Sequence, residues 1–140
     1  MKKSLTPFLL KFALTTTLLT IIFRTVLSYG LTQNNILLTI LASILYSICM
    51  FISGWYFGKK DSNHLPIFDI GFRFHFTTYF VFNLISLLWF VFDFNSVSEK
   101  IENIYTTILI WGTLLFFHFL FFLRAKKKTI QGINKEDLFD

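Results

Sequence analysis

Residues 36–58 read ILLTILASILYSICMFISGWYFG, a run without a single charged side chain. Its length decides the fold. A helix rises ~1.5 Å per residue, so about twenty residues cross the ~30 Å hydrocarbon core of a bilayer. A helix in a soluble core sets an apolar stripe against a polar face. This run is apolar nearly all the way round, the pattern of a segment whose solvent is lipid. Three further runs repeat it: Phe8–Tyr29, Phe74–Phe92 and Ile104–Leu123. The sequence predicts an all-α integral membrane protein, a four-helix bundle with helices near 8–29, 36–58, 72–93 and 97–123.

Composition agrees. Hydrophobic residues make up 54% and aromatics 20% of the 140-residue chain, and the mean hydropathy of +0.62 exceeds that of an ordinary soluble domain. Fifteen of the twenty phenylalanines lie from Phe68 onward, and lipid-facing positions absorb them without a cavity being needed. The connections are all under about twenty residues, so nothing remains to fold as a separate soluble domain. Residues 1–140 therefore form one membrane domain, and any reactive site must lie inside the bundle or at its rim.

Basic residues set the orientation. Lys2, Lys3 and Lys11 precede or enter the first span, Lys59, Lys60 and Arg73 fill the central connection, and Arg124, Lys126, Lys127, Lys128 and Lys135 follow the fourth. The first connection, Gly30–Asn35, carries no charge, and the third holds Asp93, Glu99, Lys100 and Glu102. Basic and non-basic segments alternate, as the positive-inside bias requires for an even number of spans, so both termini and the central connection are expected in the cytoplasm. The formal charge of +5 is then mostly topology. It is not a nucleic-acid footprint. Lys59, Lys60, Arg124, Lys126, Lys127 and Lys128 form a lipid-facing basic cluster expected to meet anionic headgroups of the bilayer, and residues 124–140 form a basic cytoplasmic tail.

The first run is too long for the apolar stretch of a cleavable signal and lacks a small-x-small cleavage site, so it is expected to be retained. Cys49, the single cysteine, excludes an intramolecular disulfide. Pro7 fits a first helical turn behind Ser4 and Thr6. Ser96 followed by Glu99 matches a capping box and places the start of the fourth helix near Val97. Asn134–Asp140 reads as a mobile end.

Polar residues within spans are informative because lipid offers them no partner. Thr16, Thr20 and Arg24 fall on one stripe of the first helix, and Thr39, Ser43 and Ser47 on one stripe of the second. His75, Tyr79 and Asn83, with Ser86 close by, mark the third. Thr107, Trp111 and His118 mark the fourth. Four stripes predict a bundle with its polar faces turned inward and small residues easing close approach of the first two helices. Lys11 and Arg24 lie near helix ends, where snorkelling to the interfaces is expected. No Asp or Glu lies within the apolar runs, which speaks against a proton-coupled transporter.

The segment His75-Phe-Thr-Thr-Tyr79-Phe-Val-Phe-Asn83, followed by Trp111-Gly112 and His118, resembles the bacterial two-transmembrane-helix domain family. That family is a helical hairpin with His-x3-Tyr-x3-Asn on one helix and a Trp-Gly…His pattern on the next. The resemblance covers about residues 72–123, and Leu114 stands where the family tends to carry a second glycine. It implies a bacterial inner-membrane setting and no established chemistry. Such hairpins recur in varied bacterial contexts, including beside signalling modules.

An inter-helix polar ladder of His75, Tyr79, Asn83, Trp111 and His118 is the expected arrangement, with the residues satisfying one another. His75 and His118 are also the candidate ligands for a haem, should a cofactor be bound. The central connection adds His64 on the same side, but no third Cys or carboxylate ligand lies near, and no metal site is predicted. No catalytic triad pattern, phosphate-cradling glycine loop or metal-ligand spacing appears, so the chain reads as non-enzymatic. The leading expectation is a sensing, scaffolding or docking module in the inner membrane, engaging a cytoplasmic protein or a second copy of itself and no cofactor. Two alternatives stand beside it: an oligomeric membrane-permeabilising effector of a bacterial antiviral defence system, and a haem- or quinone-associated redox subunit using His75 and His118.

Overall fold

The computed structural model describes residues 6–62 and 67–131, with side chains for 6–62 and 69–127. Lys2, Lys3, His64, Lys135, the segment Asn134–Asp140 and the side chain of Lys128 lie outside the described residues. Four helices account for nearly all of the rest: α1 Pro7–Thr32, α2 Ile36–Asp61, α3 Ile67–Val91 and α4 Ile101–Gln131. All four are long and apolar enough to cross a membrane.

Local chemistry explains the boundaries. Thr6 caps α1: its hydroxyl accepts from the Leu9 amide at 3.1 Å, and Pro7 occupies the first turn, where a missing N–H leaves nothing unpaired. α1 runs to Thr32, past the turn expected at Gly30, because Asn34 takes up the reversal with a positive φ of 52°. Asn35 then caps α2 through the Leu38 amide at 3.0 Å. Gly30 sits where the two helices converge; a Cβ there would stand 2.9 Å from the Thr39 hydroxyl. Other expected bounds shift as well, and α3 begins at Ile67 rather than near residue 72. α2 continues through Lys59 and Lys60 to Asp61, and α4 begins at Ile101 rather than Val97 but continues through the basic segment to Gln131. Lys and Arg are good helix formers, and no Gly or Pro interrupts them before Gly132.

The helices do not close into a ring. Among the described residues α1 lies against both α2 and α3, α2 touches α3 more sparingly, and α4 packs on α3 alone. α3 therefore meets all three other helices, α1 is the most enclosed and α4 lies outermost, which corrects the expectation of a bundle with four inward faces.

Burial runs opposite to a water-soluble domain. Among the described residues the buried apolar side chains are Leu9, Phe12, Ile70, Phe74, Ile85 and Ile104, while Thr16, Thr20, Arg24, Ser28, Asp61, Asn83, Ser86 and Ser96 are buried polar ones. None of the apolar window of α2 is enclosed, and Leu41, Leu45, Ile48, Phe51 and Ile52 all face outward. Polar inside and apolar outside is the arrangement lipid selects.

Candidate functional site

Two polar clusters occupy opposite ends of the array. At one end Arg24, expected to snorkel outward, is buried at 5% exposure. Its guanidinium donates to Glu99 Oε2 at 2.7 Å. Glu99 is reached because the connection between α3 and α4 folds back over α1, and its other oxygen accepts from Ser28 at 2.5 Å and from the Ser96 amide at 3.2 Å. Ser28 in turn accepts from the Trp89 indole at 3.0 Å. Arg24 also lies about 6 Å over the rings of Trp89 and Phe90, at 6.0 and 5.9 Å. Ser96 and Glu99 thus form half of the expected capping box. The carboxylate serves the guanidinium instead of the start of α4.

At the other end Asp61, at 0% exposure, accepts from the Thr6 hydroxyl at 2.7 Å. The helix cap of α1 and the last residue of α2 are joined by that single oxygen. Together the two clusters pair the start of α1 with the end of α2, and the end of α1 with the connection before α4. The helices therefore alternate in direction, and residues 33–35 share a side with residues 92–100.

Of the ladder residues, His75 and His118 approach across α3 and α4, with ring centroids 5.1 Å apart and planes 57° from parallel. Phe72 stacks on His118 at 6.1 Å. Tyr79 meets Trp111 edge-on at 5.9 Å, and Phe82 lies 5.6 Å from the same indole. Gly112 explains how Tyr79 gets so close: a Cβ there would stand 3.0 Å from the phenol oxygen, which donates to the Ile108 carbonyl at 3.3 Å. Asn83 turns back on its own helix and donates to the Tyr79 carbonyl at 2.8 Å. Among the described residues no hydrogen bond joins either histidine to Tyr79 or Asn83, so His75, Tyr79, Trp111 and His118 share a seam rather than a hydrogen-bonded ladder. The reason is local: Tyr79 and Asn83 each find a backbone carbonyl.

The same logic breaks the stripe expected on α2. Thr39 and Ser43 are partly covered and Ser47 is exposed, each donating to the carbonyl four residues earlier. α1 behaves as expected, with Thr16, Thr20 and Arg24 all buried and Thr20 bonded to the Tyr46 hydroxyl at 3.1 Å. On α4, Thr107 bonds to its own Asn103 carbonyl. Lys59 and Lys60 are exposed at the end of α2, with the Lys60 ammonium 2.6 Å from the Tyr56 oxygen. Arg124, Lys126 and Lys127 are exposed on α4.

The two imidazoles stand closer than trans ligands on one haem iron. Trans imidazoles on one iron, with iron–nitrogen bonds of about 2 Å, hold ring centroids about 6 Å apart with a flat macrocycle between them, further than the 5.1 Å found. His75 also lines a cleft of about 440 Å³ between α2 and α3, with Phe12, Met50, Trp55, Phe74 and Thr78. Comparisons with known proteins find no matching family, no matching curated protein and no matching solved structure.

Proposed function

We propose that the chain is a non-enzymatic, multi-pass protein of the bacterial inner membrane that docks a cytoplasmic protein through the basic end of α4. The observation that carries this reading is the unbroken course of α4 from Ile101 to Gln131. Its 31 residues extend about 46 Å, some 16 Å beyond a ~30 Å hydrocarbon core. Arg124, Lys126 and Lys127 ride on that extension as an exposed basic face, and among the described residues α4 has only α3 beside it. A rigid helical projection presents charge in a fixed pattern, which a disordered tail does not.

A photo-crosslinking amino acid at Lys127 in growing cells tests the reading. One discrete protein adduct is expected, and it should vanish when Arg124, Lys126 and Lys127 are replaced by Ser with membrane insertion unchanged. Adducts to lipid alone, or protein adducts indifferent to the three charges, would contradict it.

A further inference from the structure

The spacing of His75 and His118 suits a single small ion between the two rings. Two imidazoles bound to one tetrahedral ion, with metal–nitrogen bonds of about 2.0 Å, hold their ring centroids about 5 Å apart. His75 and His118 stand at 5.1 Å with their planes inclined by 57°. We propose that His75 and His118 form a two-imidazole site for a divalent transition-metal ion of the zinc or copper class, clamping α4 to α3.

Several features of the hairpin suit the ion. Neither imidazole has a hydrogen-bond partner among the described residues, so the ring nitrogens are not already committed. Phe72 stacked on one face fixes the His118 ring, and Gly71 keeps the facing surface of α3 low: even a Cβ there would lie 3.8 Å from His118 Nε2. His75 is exposed and borders the cleft between α2 and α3, which leaves room for water or a small anion to complete the coordination. Among the described residues no three His, Cys, Asp or Glu side chains gather, so these residues contribute two ligands. Imidazole pairs favour copper, nickel and zinc over magnesium or calcium, whose preference is for oxygen. The consequence for the fold is specific. α4 makes helix contact with α3 alone, and an ion bridging the two would hold the projecting helix in place.

The test uses the full chain, purified without a histidine tag in detergent. Copper(II) is added and its electron paramagnetic resonance recorded, and thermal unfolding is followed with zinc. One copper per chain with hyperfine coupling to two nitrogens is expected, together with a rise of about 9 °C in unfolding temperature at zinc a hundredfold above Kd. His75→Gln, at an exposed position, should leave one nitrogen and weaken binding by about a hundredfold, because the advantage of two linked ligands is lost. His118→Gln should do the same. Single-nitrogen coupling in the unaltered protein overturns the site. So does zinc stabilisation that survives both His75→Gln and His118→Gln.

Discussion

Glu99 lies 2.7 Å from the guanidinium of Arg24, seventy-five residues earlier in the chain, with both side chains about nine-tenths covered or more, at 6% and 7% exposure. This contact ties the α3–α4 connection to α1, and it does so inside the end of the array rather than on its surface. Breaking one partner leaves the other charge without compensation. Arg24→Met alone or Glu99→Met alone should therefore destabilise the protein by about 3–5 kcal/mol. Replacing both together by Met should cost much less than the sum. Denaturant unfolding in detergent of the two single variants and the double variant measures the coupling; strictly additive losses would show that the pair does not act as a unit.

Gly112 and Tyr79 set the distance between α3 and α4. Gly112→Ala places a methyl 3.0 Å from the phenol oxygen, so Tyr79 must move and release the Ile108 carbonyl. The expected loss is about 1–3 kcal/mol. Tyr79→Phe removes the oxygen that clashes, and in its presence Gly112→Ala should be nearly neutral. The hydrogen bond itself accounts for only about 0.6 kcal/mol in a membrane setting, so Tyr79→Phe alone should be mild.

Thr16 predicts a gain. Its hydroxyl is fully buried and has no hydrogen-bond partner, unlike Thr15 and Thr17, which donate to carbonyls on α1. Thr16→Val keeps the shape and removes the uncompensated group, so stability should rise by about 1 kcal/mol. A loss on unfolding measurements would mean that the hydroxyl serves a partner in the working protein.

At the opposite end Thr6 does two jobs. Its oxygen accepts from Leu9 and donates to Asp61. Thr6→Ala removes the helix cap, worth about 1 kcal/mol, and also strips the buried carboxylate of its donor, worth a further 1–3 kcal/mol by order of magnitude. Thr6→Ser keeps both roles and should restore stability almost completely. Equal losses for Ala and Ser would refute the shared role.

The four apolar runs were legible because length and all-round hydrophobicity survive any packing arrangement. The stripe of α1 was legible too, since α1 is the helix enclosed by two others. The stripe of α2 misled for a chemical reason: a helical Ser or Thr can donate to the carbonyl one turn back, as Ser43 and Ser47 do, so a row of hydroxyls carries no information about which face is buried. Arg24 misled for another. Its partner is distant in sequence, and Glu99 reads locally as a capping residue, which it partly is. The seam of His75, Tyr79, Trp111 and His118 was readable from spacing, but the backbone carbonyls that claim Tyr79 and Asn83 were not. The helical course of residues 124–131 was hidden by their charge, which suggests a tail although their helix propensity is high.

The single native cysteine makes the topology directly measurable. In a Cys49→Ala background, single cysteines are placed at Asn34, at the fully exposed Val97 and at Lys127, and intact cells with a permeabilised outer membrane are treated with a membrane-impermeant maleimide. Four spans with both ends inside require Asn34→Cys and Val97→Cys to be labelled from outside, and Lys127→Cys to be labelled only after the inner membrane is broken. Labelling of Lys127→Cys in intact cells, or of only one of the other two, would contradict the four-span arrangement.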